Sequence, residues 1–236
     1  MKRHSIESLE LRNLYFSYRH DDYVFKDFNF NLPESGVIYV QGPKGSGKNT
    51  FLKILLGLRR PMKGDFLING KRANDFSHQE FDLFRLSMGY AFDVGGLINN
   101  QTLYENFRFI LDYHDHLEYS ERFDYIVDLL KVFNLDDKKH LRPSAISPSD
   151  RKAAVLLRSL ILRPQLLILD NPTQGLSPEH LPKFIEVLSR HEQNYGLKQM
   201  IISSEDRNLL EQLSGKIFKV AMSGLDEVVR PRRMIA

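Results

Sequence analysis

The stretch Val37-Ile38-Tyr39-Val40-Gln41-Gly42-Pro43-Lys44-Gly45-Ser46-Gly47-Lys48 places a short apolar run directly before a glycine-rich turn. A continuous apolar run of this length is typical of a strand buried on both faces. The turn fits the pattern G-x-x-x-x-G-K, in which backbone N–H groups and the lysine hold phosphate oxygens. A glycine-rich turn that only caps a helix would look similar. The strand before it and the helical pattern of Thr50–Gly57 after it favour phosphate binding.

The residue after Lys48 departs from this pattern. A hydroxyl that ligates Mg²⁺ is expected there, and the chain has Asn49 instead. Thr50 lies one position further, rotated by about 100° around a helix, and does not simply replace that hydroxyl. The amide oxygen of Asn49 is still a hard ligand. The sequence therefore predicts a weakened Mg²⁺ site.

Composition excludes several classes of protein. Of the 236 residues, 42% are hydrophobic and 27% are charged, which is ordinary globular composition and argues against disorder. The net charge of +3 requires no nucleic-acid partner, and the absence of cysteine excludes disulfides, thiolate metal sites and cysteine nucleophiles. No apolar stretch approaches the roughly 20 residues that span a bilayer, and no signal peptide is recognisable. We therefore expect a cytoplasmic protein whose membrane role comes through a partner.

The pattern of apolar residues changes along the chain. Alternating and continuous apolar runs predict strands in the first ninety residues and again at Leu166–Leu169, Met200–Ile202 and Ile217–Val220. Between residues 100 and 141 the apolar residues recur with the helical period of 3.6, as in Phe123, Ile126, Val127 and Leu130. We expect one domain over residues 1–236, with an all-helical insert at about 91–145.

Three further motifs carry a resemblance to a known family. The strand Leu166–Asp170 ends in a carboxylate and is followed by Asn171–Leu176, which resembles the Walker B strand and E-P-T-x-G-L segment of ABC-type ATPases. Ile146–Asp150 occupies the place of their L-S-G-G-Q signature, and Phe16-Ser17-Tyr18 resembles their adenine-stacking A-loop. The resemblance covers almost the whole chain. It implies an α/β fold: a P-loop core with a mostly parallel sheet, an N-terminal antiparallel strand layer and a helical subdomain.

A fourth stretch points to one group within that family. Gly95–Asn106 is similar to a segment of Mla/Mce-type phospholipid-transport ATPases, although related stretches occur in other importers and in cell-division ATPases. The resemblance implies ATP and Mg²⁺ as cofactors and an integral-membrane permease as partner. It also implies a dimer, with an identical or a different ABC subunit, peripheral on the inner face of the cell membrane. The transported substrate would be a lipid or phospholipid.

The resemblance also assigns site residues. The expected nucleotide-binding residues are Tyr18, Gly42, Gly45, Ser46, Gly47, Lys48, Asn49, Thr50, Ser147 and Asp170. Of these, Asn49 and Asp170 are the expected weak Mg²⁺ ligands.

The catalytic positions of the family are altered in this chain. Asn171 stands where a glutamate polarises the attacking water, Ser204 replaces the switch histidine, and Asp93 replaces the Q-loop glutamine. An amide cannot accept the proton of the water, and hydrolysis depends on that positioned carboxylate. In the signature, Pro148 has no N–H to donate, and Asp150 would put a carboxylate close to the phosphate of an opposite subunit.

These departures lead to three hypotheses. The first is a subunit that binds ATP but hydrolyses it poorly or not at all and has a structural or regulatory role. The second is an active ATPase that drives transport with unorthodox residues. The third is an interaction module that has lost the nucleotide.

Overall fold

A computed structural model describes residues 3–19, 22–114 and 117–228. Over these residues the chain forms one antiparallel and one mostly parallel sheet with helices packed around them, which confirms the predicted fold class.

The antiparallel sheet is built from the N-terminal part of the chain. Its order is β2-β1-β4-β5, with β1 (Leu9–Arg19), β2 (Asp22–Asn31), β4 (Lys63–Ile68) and β5 (Lys71–Arg72). The last two strands are joined at Asn69-Gly70, where both residues have positive φ, 52° and 76°. An Asn-Gly pair adopts this conformation readily, and for this reason it favours a tight hairpin.

The second sheet has six strands in the order β10-β9-β3-β8-β7-β6. All its neighbours run parallel except β9 and β10. Its strands are β3 (Gly36–Gln41), β6 (Met88–Ala91), β7 (Leu166–Asp170), β8 (Gln199–Ser203), β9 (Lys216–Val220) and β10 (Leu225–Val228). The three apolar runs identified in the second half of the sequence all lie in this sheet.

Seven α-helices occur in the described part of the chain. They are α1 (Lys48–Leu55), α2 (His78–Arg85), α3 (Leu103–Tyr113), α4 (Tyr119–Lys131), α5 (Pro148–Leu160), α6 (His180–Tyr195) and α7 (Arg207–Gln212). Short 3₁₀ helices cover Ala73–Asp75 and Pro143–Ala145. The helical pattern predicted around Phe123–Leu130 lies in α4. Among the described residues, no helix is both long and apolar enough to cross a bilayer.

The parallel sheet separates two hydrophobic clusters. Val37 and Tyr39 of β3 point into the cluster that contains α3 to α6, which we call the helical-side cluster. Ile38 and Val40 point into the cluster formed with α1 and the antiparallel sheet, the sheet-side cluster. Successive strand residues face opposite sides of a sheet, so a strand buried on both faces must be apolar throughout.

Four parallel strands end at the same edge of this sheet. β3, β7, β8 and β6 finish at Gln41, Asp170, Ser203 and Ala91, and Asp170 lies opposite Ser203 in the register. The loops after parallel strands therefore meet there. In α/β sheets such edges are where ligands bind.

Candidate functional site

A cavity of about 960 Å³ lies at this edge of the sheet. It is bounded by the loops that follow β3, β6, β7 and β8 and by β1 and β2 of the antiparallel sheet. It brings together twelve of the residues predicted from sequence: Tyr18, Gly42, Gly45, Ser46, Gly47, Lys48, Asn49, Thr50, Asp93, Asp170, Asn171 and Ser204. Ser147 is not among the residues that line it.

The glycine loop has a backbone shape that other residues adopt with strain. Gly42, Gly45 and Gly47 have φ values of 146°, 88° and 97°. A Cβ atom on Gly47 would lie 2.7 Å from a methyl carbon of Val24, because β2 packs directly against the loop. The hydroxyl of Ser46 is buried and has no hydrogen-bond partner among the residues that the structure describes. A curled backbone with a spare buried donor fits a bound phosphate group.

Lys48 begins α1 and its ammonium lies over the loop. It donates to the carbonyl of Pro43 at 3.0 Å and also to the carbonyl of Gly42. In this fully described helix, the first turn contains no acidic side chain that would offset the positive N-terminal dipole. The lysine and the helix N-terminus therefore both favour an anion in the loop.

Tyr18 lies at the mouth of the cavity. Its hydroxyl is 2.9 Å from Oγ1 of Thr50, and its ring meets that of Phe16 edge-on. The residue is 56% exposed, and the guanidinium of Arg59 lies 5.8 Å from the centroid of its ring. An exposed aromatic ring beside a phosphate loop is suited to stacking on a base.

Asn49 donates a hydrogen bond to Asp170, the carboxylate that was expected to be the second Mg²⁺ ligand. Its Nδ2 atom donates to Oδ2 of Asp170 at 2.7 Å, and Asp170 is only 4% exposed. A carboxylate only accepts hydrogen bonds, so the amide nitrogen of Asn49 must face it. The pair thus offers an N–H group where Mg²⁺ needs a second oxygen, and this donor set does not fit the ion.

The residues at the two positions predicted to be hydrolytic are an amide and a hydroxyl. Asn171 follows β7 with a φ of 45°, and its backbone N–H donates to the carbonyl of Ser203 at 2.9 Å. The Ser204 hydroxyl accepts from the N–H of Asp206 at 3.1 Å, immediately before α7. Ser204 therefore lines the cavity while its oxygen is used in a local turn. Neither residue offers a carboxylate or an imidazole at its position.

The wall near β6 contains two carboxylates and a buried lysine. Asp93 has a buried carboxylate oxygen without a partner, while Lys152, 7% exposed, donates to the carbonyls of Phe92 and Asp93 at 3.3 Å. Burial lowers the pKa of Lys152, although the charges of Asp93 and Asp170 oppose that shift. Burial also raises the pKa of Tyr90, and the same two carboxylates add to the effect. The ammonium thus offsets part of a locally negative wall.

The segment predicted to be the signature, Ile146–Asp150, leads into α5. Its one charged side chain, Asp150, forms an ion pair within the same chain. Ser147 caps the helix by accepting from the N–H of Asp150 at 3.0 Å. The Asp150 carboxylate pairs with Lys138 at 2.9 Å and is largely buried, so part of its charge is neutralised within its own chain. Its approach to a phosphate of an opposite subunit stays a prediction. Burial alone would raise the pKa of Asp150. The hydrogen bonds from Lys138 and Ser147 and the Lys138 charge outweigh burial and hold that pKa below its ordinary value.

Several residues of the site carried no strong sequence signal. Val24, Gln174, Ser203 and Glu205 also line the cavity. Glu205 directly follows Ser204, and Gln174 lies in the motif Asn171–Leu176 without having been assigned a role there. Val24 and Ser203 belong to no motif. Lys152 had one available signal, since it is a charged residue beside the apolar run Ala153–Leu157.

Comparisons with known proteins agree on the family. Residues 25–174 match the family described as ABC transporter. The chain is 29% identical over 233 residues to the methionine import ATP-binding protein MetN of Protochlamydia amoebophila, covering 97% of this chain and 66% of that protein. It is 36% identical over 155 residues to the probable ribonucleotide transport ATP-binding protein mkl of Mycobacterium leprae, covering 66% of this chain and 45% of mkl. The chain thus spans only part of the length of these relatives.

Two other matches concern transport and fold. The chain is 26% identical over 202 residues to the intermembrane phospholipid transport system ATP-binding protein MlaF of Haemophilus influenzae, covering 86% of this chain and 76% of MlaF. Among solved structures, the ATP-binding cassette MJ0796, a dimer bound to ADP and Pi, superimposes with a TM-score of 0.81. That match has 24% identity and covers 93% of this chain and 97% of the other, and it supports the fold.

Proposed function

The chain belongs to the ABC transporter family, and we propose that it is a nucleotide-binding subunit that holds ATP but hydrolyses it poorly or not at all. One observation carries this proposal. A single cavity contains a complete glycine loop with Lys48, together with Asn171 and Ser204 at the positions where hydrolysis needs a base and an imidazole. Binding groups are retained while catalytic groups are replaced.

Each part of the proposed binding site has a distinct task. The loop N–H groups, the Ser46 hydroxyl and Lys48 would bind the phosphates, and Tyr18 would stack on the adenine. ATP supplies the phosphoryl group, whose transfer depends almost entirely on positioning and charge. Asn171 can orient a water through a hydrogen bond, but its amide cannot accept the proton. The subunit would then have a structural or regulatory role.

The proposed setting is a membrane complex. We place the chain on the cytoplasmic, inner face of the cell membrane, bound to an integral-membrane permease and paired with an identical or a different ABC subunit. Residues 91–145 would form the helical subdomain. The similarity to MlaF, whose name refers to intermembrane phospholipid transport, supports a lipid substrate. The stretch Gly95–Asn106 supports the same substrate class.

One observation favours the alternative of a working ATPase. Asp93 and Glu205 are carboxylates that line the same cavity, and one Asp93 oxygen is buried without a partner. Either carboxylate would have to act as the base in place of Asn171. The nucleotide-free interaction module is the remaining alternative.

Two measurements on purified protein separate these functions. Calorimetry with ATP and ADP is expected to show binding that Lys48→Ala removes and Lys53→Ala, in the same helix but outside the cavity, retains. Phosphate release is expected to stay at background. Turnover that Asp93→Asn or Glu205→Gln abolishes would establish the working ATPase. Absence of heat with either nucleotide at millimolar concentration would establish the interaction module.

A further inference from the structure

We propose that nucleotide binds to this cavity without magnesium, and that the Asn49 amide occupies the position at Asp170 that a metal ion would need. This inference rests on the proposed function, because it assumes that the cavity holds a nucleotide. It adds independence from magnesium, which does not follow from the glycine loop alone.

The first step is the state of the Asp170 carboxylate. The Asn49 amide already donates to Oδ2 of Asp170 at 2.7 Å. The Asp170 carboxylate is 4% exposed, while Asn49 itself is exposed to solvent. A hydrogen bond to a charged group is among the stronger ones in proteins, and at 2.7 Å this one is short. A metal ion that approached Asp170 from this side would have to displace the amide.

The second step is the shortage of replacement ligands. The nearest hydroxyl in α1 belongs to Thr50, and it is already within 2.9 Å of the Tyr18 hydroxyl. Among residues 3–19, 22–114 and 117–228, no group of three or more His, Cys, Asp or Glu side chains could hold a metal ion. At nucleotide sites Mg²⁺ is held by one or two protein oxygens together with phosphate oxygens and waters. Of the two residues expected to supply those protein oxygens, Asp170 accepts from the Asn49 amide and Asn49 presents an N–H group.

The third step is the charge that a metal-free phosphate chain would meet. Lys48 and the N-terminus of α1 face the loop directly. Near β6, the buried Lys152 donates to the carbonyls of Phe92 and Asp93, and its charge offsets those of Asp93 and Asp170. The two carboxylates therefore repel an incoming phosphate less than two unpaired carboxylates would. A dication is not needed to make the cavity acceptable to an anion.

The test compares the Kd of ATP, measured by calorimetry, in excess Mg²⁺ and in EDTA. For the unmodified chain, the two values are expected to agree within about a factor of three, which is well under 1.4 kcal/mol. Asn49→Thr replaces the amide with a hydroxyl and frees Asp170. Its Kd is expected to tighten about tenfold in Mg²⁺ and to change little in EDTA. Asn100→Thr is the matched control, since Asn100 is exposed and lies outside the cavity.

Each outcome bears on a named claim. Binding by the unmodified chain only in Mg²⁺ would overturn this inference and leave the proposed function standing. Equal binding in both media with no metal response in Asn49→Thr would overturn the role given to Asn49. Absence of binding in either medium would overturn the proposed function and this inference with it. The unmodified chain decides the main claim, so it does not depend on the folding of a variant.

Discussion

At Asp170, two asparagine amides stand at the positions that we predict to be catalytic and metal-binding. Asn49 reaches the carboxylate through space, and Asn171 follows it in the chain. A third predicted change, Ser204, directly follows the neighbouring strand β8. Groups that act together in one reaction contribute non-additively when they are removed or restored. Repair of a single position should therefore recover little.

Asn171→Glu alone is expected to leave ATP turnover at background. The new carboxylate supplies a base, but the Asn49 amide still donates to Asp170, and position 204 still has a hydroxyl where an imidazole is expected. Phosphate release under saturating ATP is the measurement, with Asn171→Gln as the uncharged control of equal length. Robust release from Asn171→Glu would mean that the missing base is the only catalytic defect.

Tyr18→Ala is expected to weaken ATP binding by roughly five- to tenfold, since stacking of a base on an aromatic ring is worth at least about 1 kcal/mol. Tyr18→Phe keeps the ring and loses only the bond to Thr50, so it should bind nearly as well as the unmodified chain. Calorimetric Kd values for both variants make the comparison. Equal loss in both would assign the effect to the hydroxyl and not to stacking.

Among the elements, the start of α5 depends on an ion pair. Asp150 is held by Lys138, and its folded-state pKa lies below the ordinary value. A lowered pKa stabilises the fold fully above the unfolded pKa, and this contribution is lost as pH falls through the folded pKa. Asp150→Asn is expected to lower the free energy of unfolding at pH 7 by about 1 kcal/mol, discounted because Lys138 is one-third exposed.

The pH dependence of that difference is the sharper test. Urea titrations from pH 7 down to acid should show the two proteins converging below about pH 4, where Asp150 becomes protonated in the unfolded chain and then in the folded one. Asp128→Asn, which removes an exposed pair with Lys131, is the control and should change little. A difference that persists unchanged in acid would point to packing and not to charge.

Elements with a clear period could be predicted, and individual side-chain partners could not. The runs that became β3, β7 and β8 are apolar throughout, and burial on both faces leaves few other structures for them. The direction of Asp150 depends on Lys138, which lies twelve residues away in the loop before α5. The Asn49 bond depends on Asp170, 121 residues away. Such contacts arise from the assembled fold and leave no periodic trace in the sequence.

For the whole molecule, we expect that ATP alone does not close two copies into a tight dimer. In the ABC arrangement, each nucleotide lies between the glycine loop of one subunit and the signature of the other. The signature here offers Pro148, which has no N–H, and a carboxylate already paired with Lys138. A mixed dimer with an intact subunit would have a defect at both sites.

Sedimentation at several protein concentrations, with and without Mg-ATP, is the measurement. The expected result is an association state that does not depend on nucleotide. Pro148→Gly is the variant most able to restore a donor, and any gain in ATP-dependent dimer should appear there first. A monomer that dimerises only with ATP in the unmodified chain would show that the altered signature still works.

The division of the interior by the parallel sheet has a consequence for how this sequence can diverge. Leu167 and Leu169 of β7 belong to the helical-side cluster, while Leu166 and Ile168 belong to the sheet-side cluster. A change of volume at one residue can be compensated only by residues that touch it. Related sequences should therefore show covariation of side-chain size within each cluster and near independence between adjacent residues of one strand. The side chains of the two clusters can then change independently of each other, while the loop that follows β3 at the sheet edge keeps its sequence.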